Sequence, residues 1–308
     1  MAYSLDHLLV IGISSRALFD LEAEDEIFRE QGLDAFRSHQ LRHENKVLNP
    51  GAGFALVKAL LKLNALAPEQ RMVEVVVMSR NSSETSLRIF NSIEHYGLDI
   101  SRAALTGGAP LSPYLKAFNV SLFLSLHEDD VQAAINSGVA SAMLYPMPPN
   151  AADMEQIRIA FDGDAVIFSD ESERIYQQHG VEAFEQHERE NAKKPLPEGP
   201  FARLLVALSY LQNQFRTPDG RAFPIRTALV TARSSPAHER VIRTLRAWNI
   251  AIDETFFMGG VNKSEVLAAF KPHMFFDDQH GHCIKASDFV PTGRVPIRQN
   301  QQEQQEQQ

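Results

Sequence analysis

Four clusters of polar residues follow short apolar runs, and their types suit one kind of chemistry. Ile157–Phe161 runs into Asp162-Gly163-Asp164, and Thr227–Val230 runs into Thr231-Ala232-Arg233-Ser234. Lys263 follows Gly259-Gly260, and Met274–Phe276 runs into Asp277-Asp278. A carboxylate that attacks, a hydroxyl, an ammonium and a carboxylate pair facing one crevice are the parts of phosphoryl transfer through an aspartyl-phosphate. A carboxylate is a weak nucleophile, and the charge on a phosphate monoester repels it. Magnesium held by carboxylates neutralises phosphate oxygens and fixes the line of attack. A second carboxyl two residues on can protonate the leaving alkoxide and then activate water. Lysine, hydroxyl and backbone N–H groups at helix starts suit the remaining phosphate oxygens. Thr231, Arg233, Ser234 and Lys263 are therefore the candidates to hold substrate.

Each signal has a plainer reading. Asp-Gly-Asp is often a turn, although an EF-hand loop is excluded because Val166 and Ile167 stand where an oxygen ligand and a glycine are required. Asp277-Asp278 could cap a helix, Lys263 could be an ordinary exposed lysine, and Arg233 could pair locally. His238, His273, His280 and His282 have no tight metal-ligand spacing. The weight lies in order and placement together.

In an α/β sheet, ligands bind beyond the carboxyl ends of the strands, so the strands must deliver these residues. The pattern predicts strands near Leu8–Ile13, Val73–Met78, Ser121–Ser125 and Val139–Leu144. It predicts a second set near Ile157–Phe161, Thr227–Thr231, Phe256–Met258 and His273–Phe276. Short apolar runs alternating with helical patterns suit Rossmann-like parallel sheets covered by helices on both faces.

The two sets look like one unit written twice. Ile11–His39 lies on Ile159–His187 without a gap at an offset of 148, matching Ala17 to Ala165, Ile27 to Ile175, Gly32 to Gly180 and Phe36 to Phe184. GGAPLSPYLKAFNVSLFLS (107–125) lies on GGVNKSEVLAAFKPHMFFD (259–277) at 152. The expected organisation is a half over 1–150, a half over 151–298 with a helical cap at about 170–224, and a disordered Gln-rich tail over 299–308, with YPMPPN (145–150) at the join. At these offsets Asp162 falls on Ser14, Asp164 on Arg16, Lys263 on Leu111, and Asp277-Asp278 on Ser125-Leu126. The first half thus reads as a copy without catalytic residues, and Arg16 as a cation that would repel a metal or could bind an anion.

The 308 residues carry Lys+Arg 30 against Asp+Glu 39, a net charge of −9. That balance argues against a nucleic-acid partner, while a small anion can still be held by a metal and local cations. The single cysteine, Cys283, excludes an intramolecular disulfide. No run approaches the ~18 apolar residues of a membrane span. The N-terminus reads as a core strand and not a signal peptide, so the expectation is a cytoplasmic protein without membrane contact.

FDGDAVIFSDESE (161–173), LVTARSSPAHERV (229–241), GGVNKSEVLAAFKPHMFFDDQ (259–279) and ISSRALFD (13–20) resemble motifs of the cytosolic 5'-nucleotidase I family, within the haloacid dehalogenase superfamily. The resemblance covers nearly the whole chain. It implies two tandem haloacid-dehalogenase-like halves, the second catalytic. It implies Asp162 as nucleophile, and Asp164 as general acid/base and as magnesium ligand through its carbonyl. It further implies Thr231 and Lys263 on the phosphate and metal contact from Asp277-Asp278, with Asp278 direct and Asp277 its support. The implied substrate is a nucleoside 5'-monophosphate, hydrolysed to nucleoside and phosphate. Two alternatives stay open: a phosphatase for another small ester on the same machinery, or a non-catalytic nucleotide-binding regulator. Tyr176, Phe184, Phe201, Tyr210, Phe215 and Phe223 are the aromatics available to stack on a base, with core packing as the alternative for each. Base preference and assembly, a homo-oligomer included, are left open.

Overall fold

The computed structural model describes residues 4–146, 156–215 and 224–299. Residues 4–139 form one compact unit, and residues 140–145 with 156–299 form a second.

The first unit is built on β1 (Leu9–Ile13), β2 (Val73–Ser79), β3 (Arg102–Leu105) and β4 (Leu122–Ser125), in the order β3-β2-β1-β4 and parallel throughout. Every residue of β1, β2 and β4 is buried. This is why these strands read as unbroken apolar runs and not as alternating ones: helices in the crossovers cover both faces. The second unit takes β5 (Ala140–Leu144), β6 (Ile157–Phe161), β7 (Ile225–Thr231), β8 (Glu254–Phe257), β9 (Met274–Asp277) and β10 (Thr292–Arg294). Their order is β5-β10-β9-β6-β7-β8, parallel except for the antiparallel pairing of β5 with β10. Both units are thus mixed α/β with mostly parallel sheets flanked by helices. No helix among the described residues is long and apolar enough to cross a membrane.

Three expectations need correction. β3 and β10 were not anticipated, because Arg-Ala-Ala-Leu has no β-branched residue and Thr-Gly-Arg has only three positions, too few for alternation to register. The Val139–Leu144 run, expected in the first half, supplies a strand of the second unit, with Leu144 opposite Gly293. The described part of the segment expected as a cap holds two helices, and Ala202–Gln214 buries Leu204, Leu205, Leu208 and Leu211 and packs on β7, as a core helix does. Residues 147–150 of the proline cluster, Phe223 and residues 300–308 of the tail lie outside the described residues.

Local geometry recurs between the units at the offsets read from the sequence. Gly32 (φ 83°, ψ −176°) and Gly180 (φ 80°, ψ −176°) interrupt helical segments in the same way. Phe28 meets Phe36 edge-on at 5.9 Å, and Tyr176 meets Phe184 edge-on at 6.3 Å. The left-handed residues Gly97, Gly107, Gly108 and Asn119 have counterparts in Asn249, Gly259, Gly260 and Lys271. The gapless alignment is corrected over a short segment, where the offset rises to 149 at the turn and is back to 148 by Gly32. In the first unit the Phe19 N–H donates to the Ser15 carbonyl, while in the second the Phe168 N–H donates one residue further back, to Gly163. The second turn is therefore a π-turn holding an extra residue, and Ala17 corresponds to Val166 and not Ala165, as the bonds Gly53 N–H to Ala17 O and Phe201 N–H to Val166 O show.

Gly51 and Gly199 brace these two turns from outside. The Gly199 N–H donates to the Ile167 carbonyl at 2.9 Å. A methyl group there would lie 2.6 Å from the Val166 carbonyl oxygen and would also overlap the Phe168 backbone, so glycine is required by close approach. Gly199→Ala is expected to destabilise the protein by about 1–3 kcal/mol, because the turn leaves no room for the methyl group. Denaturant unfolding checks this, and unchanged stability would show the turn to be looser than the packing implies.

Candidate active site

The strand register determines which side chains meet. β6 lies between β7 and β9, with Phe161 opposite Leu229 on one side and Phe276 on the other. The next residues along β6 and β9 are Asp162 and Asp277, so the two carboxylates leave neighbouring strands side by side. From β6 the chain proceeds to β7 and β8 and returns to β9 on the opposite flank, which makes the β6–β9 edge a topological switch point. Beneath it, Phe161, Phe201 and Phe276 pack together with centroids 4.9–6.3 Å apart. Phe201 is therefore a core residue and not a base-stacking one. Phe275 points to the opposite face, with Ala160, Val230, Leu267 and Phe270.

Asp162 is 5% exposed. Its Oδ1 accepts the Gly163 N–H at 2.7 Å and lies 2.9 Å from Lys263 Nζ. The same ammonium donates to Asp277 Oδ2 at 2.7 Å. Lys263 is carried there by the turn through Gly259 and Gly260, both left-handed, at the start of the helix Ser264–Phe270. It is buried, which corrects the plainer reading of it as a surface lysine. Thr231, also buried, ends β7 beside Gly163, and its Oγ1 accepts the Arg233 N–H at 3.2 Å. Ser234 is exposed. Asp277 Oδ1 accepts the Gln279 N–H at 2.9 Å, and its Oδ2 lies 3.3 Å from His282 Nδ1.

Asp162, Asp277 and Asp278 each bring a carboxylate oxygen to within 4.8 Å of the others. At that separation, like charges repel by ~3.5 kcal/mol per pair at an effective dielectric of 20. Burial pushes the Asp162 carboxyl up to about 7, with Lys263 opposing and Asp277 and Asp164 adding to the rise. Burial, then the neighbouring Asp162 and Asp277, pushes Asp278 up to about 8. Burial would also raise Asp277, but the hydrogen bond from His282 and the charge of Lys263 hold it below the ordinary range. Burial disfavours the Lys263 ammonium, and Asp162 and Asp277 more than offset this. Two buried carboxylates and a half-buried third, Asp278, share one lysine, an arrangement that a divalent cation fits. The donors are all oxygen, the set that suits magnesium or manganese and not zinc.

Asp164 and Arg233 stand apart from this trio, as a pair. Arg233 Nε and Nη2 donate to Asp164 Oδ2 and Oδ1 at 2.8 and 2.6 Å, and Nη1 donates to Glu188 Oε2 at 2.6 Å. The guanidinium is 1% exposed, so the site it was expected to offer to substrate is occupied by two carboxylates. Sequence reading missed Glu188 because it lies in a run of charged residues, EQHERE (185–190), that reads as a solvated helix face. Of the histidines, His273 Nδ1 accepts the Arg158 N–H, His280 bonds Tyr145, and His238 lies against Phe257.

The sequence of this chain matches the family model described as 5'-nucleotidase over residues 1–302. The chain belongs to the 5'-nucleotidase family. A curated human relative, cytosolic 5'-nucleotidase 1B from Homo sapiens, is 42% identical over 282 residues. The match covers 89% of this chain but 46% of that relative, so the chain spans less than half the relative's length. No solved structure matches it. Both findings agree with the family resemblance in the motifs around Asp162, Thr231, Lys263 and Asp277. Within this member of the 5'-nucleotidase family, those motifs converge on the β6–β9 edge.

Proposed function

We propose that the chain is a magnesium-dependent 5'-nucleotidase of the cytosol, hydrolysing nucleoside 5'-monophosphates through an aspartyl-phosphate on Asp162. The observation that carries this reading is a buried Asp162 fixed by Lys263 beside Asp277 and Asp278, in a chain of the 5'-nucleotidase family. Both bonds to Asp162 fall on Oδ1, so Oδ2 is the oxygen left to attack phosphorus. Attack forms the Asp162–phosphorus bond and breaks the bond from phosphorus to the 5' oxygen. Asp164 gives that oxygen a proton, and the nucleoside leaves. Asp164 then takes a proton from water, which attacks the same phosphorus and releases phosphate and the free Asp162 carboxylate. Thr231 and Lys263 hold phosphate oxygens, while Lys263 favours the ionised form of Asp162 through their ion pair. Asp162, Asp278 and the Asp164 carbonyl would hold magnesium, with Asp277 in support, and the bound ion supplies charge neutralisation to the phosphate.

The first unit serves, on this reading, as a degenerate copy. Ser14, Leu111 and Ser125-Leu126 replace the nucleophile, the lysine and the metal carboxylates. Arg16 makes ion pairs with Glu22 at 3.1 Å and Asp25 at 2.8 Å, which favours a structural role over anion binding. Substrate choice would fall to the helix Glu171–Glu190 as a cap, where Tyr176 is half exposed. Tyr210 and Phe215 remain as further candidates.

A panel of phosphate esters tests the substrate. At least one nucleoside 5'-monophosphate is expected to exceed glucose 6-phosphate and phosphoglycolate in kcat/KM by roughly tenfold or more, since base and ribose contacts add binding energy. A sugar phosphate outperforming every nucleotide would leave a phosphatase and remove the nucleotidase.

A further inference from the structure

Each unit carries a buried arginine anchor of the same construction. In the first unit, Arg88 Nε donates to the Lys46 carbonyl at 2.8 Å and Nη1 to Glu24. Ser92 Oγ donates to the Arg88 carbonyl and accepts the Leu48 N–H. In the second, Arg240 Nε donates to the Lys194 carbonyl at 3.1 Å and Nη1 to Glu188 Oε1 at 3.0 Å. Thr244 Oγ1 donates to the Arg240 carbonyl and accepts the Leu196 N–H. All these positions correspond at the repeat offsets except the carboxylate. Glu24 corresponds to Ser172, and Glu188 corresponds to Gln40. The second unit has thus moved its carboxylate to the far end of the helical segment, where Ser172 Oγ donates to Glu188 Oε1 at 2.9 Å.

That relocation does something the anchor alone does not require. It leaves Glu188 Oε2 to accept Arg233 Nη1 at 2.6 Å, while the other two nitrogens of Arg233 grip Asp164. Glu188 is 0% exposed and Arg233 3%. The counterpart of Arg233 is Asn81, and Asp164 aligns with Arg16, so this second pairing is found in the unit that holds the carboxylate trio. Phe184 lies beneath the guanidinium, 5.5 Å from its carbon, and limits its tilt.

We infer that Glu188 is a positioning residue for the reaction: it fixes the Arg233 fork, and the fork presents the Asp164 carboxylate to the leaving group. A guanidinium held at three nitrogens cannot rotate without breaking a buried charged hydrogen bond. The fork uses one lone pair on each Asp164 oxygen and leaves others, one to carry the proton given to the leaving oxygen and then to accept a proton from water. The inference rests on Asp164 being the acid/base.

Leaving-group dependence of kcat/KM tests it, because that parameter covers steps only up to departure of the alcohol. A nucleoside alkoxide needs a proton as it leaves, whereas p-nitrophenolate does not. Glu188→Gln is expected to lower kcat/KM at least tenfold for the best nucleoside monophosphate and less than threefold for p-nitrophenyl phosphate. Ser172→Ala, which touches Oε1 alone, should leave the ratio of the two substrates unchanged. Equal losses on both substrates, or none on either, would overturn the inference. If Glu188→Gln does not accumulate as folded protein, Glu188→Asp withdraws the charge by one methylene and is read on the same ratio. Asp164→Asn separates the two levels of argument. If it shows the split and the Glu188 variant does not, the positioning role fails; if Asp164→Asn shows none, its acid/base assignment fails.

Discussion

Asp162→Asn should give a folded protein with turnover reduced by at least roughly a thousandfold, a barrier increase of ~4 kcal/mol. An amide cannot form the acyl-phosphate, and no neighbour can substitute: Asp277 Oδ2 is held by Lys263, and its Oδ1 by the Gln279 N–H. The fold should survive because Lys263 keeps its 2.7 Å bond to Asp277, and the Gly163 N–H can be accepted by the amide oxygen. Steady-state kinetics on the purified variant, with circular dichroism to confirm folding, checks this. Retention of more than about a tenth of wild-type kcat would remove Asp162 as nucleophile.

Removal of the divalent ion should be as damaging, and Asp278 is where it is best probed. Activity is expected to vanish in EDTA and return with millimolar magnesium. Asp278→Asn should cost more than about a hundredfold at saturating substrate, since even residues behind a metal ligand commonly cost 10–100-fold. The same variant should alter metal-free stability in the opposite direction. The native carboxyls of Asp162 and Asp278 are raised to about 7 and about 8, above an ordinary value near 4. The native state therefore binds more protons than the unfolded chain between these limits, and stability falls as pH rises through 7 to 8. Without metal, the melting temperature should drop between pH 6 and 8.5, and Asp278→Asn should flatten that drop. Magnesium should raise the wild-type value at pH 8 by binding the native state, and leave the variant unmoved. Full activity after exhaustive chelation, or a variant as magnesium-responsive as wild type, would defeat the assignment.

The catalytic candidates were legible because their signal is local. An apolar run ending in Asp-Gly-Asp, Thr-Ala-Arg or Asp-Asp gives both the strand and the residue at its end, and the register of β6 with β9 and β7 then brings Asp162, Asp277 and Thr231 together. The recurring local geometry was legible because left-handed glycines and aromatic pairs occupy positions at the same offsets. Pairing chosen across long sequence separation was not legible. Nothing in EQHERE distinguishes Glu188, which is buried against Arg233 and Arg240, from its exposed neighbours. Nor does Thr-Gly-Arg announce a strand when its partners, Phe275–Asp277 and Met143–Leu144, lie elsewhere in the chain. Arg233 was expected to hold substrate, and the partners that occupy it instead come from residues 69 and 45 positions away.

The extra residue in the turn after β6 bears on how such a pair of units can diverge. In the first unit four helical residues, Ser15–Leu18, close the turn tightly. In the second the added residue forces Asp164 into extended backbone and Ala165 into the left-handed region, at φ 58°. Side-chain exchange and loop length are separate kinds of inheritance, and here they have separated together. Grafting Asp, Asp and Lys onto Ser14, Arg16 and Leu111 would place the same side chains on a turn one residue too short to present them as the second unit does. Exchange of side chains alone would therefore not make the two turns alike; a residue would have to be added or removed as well.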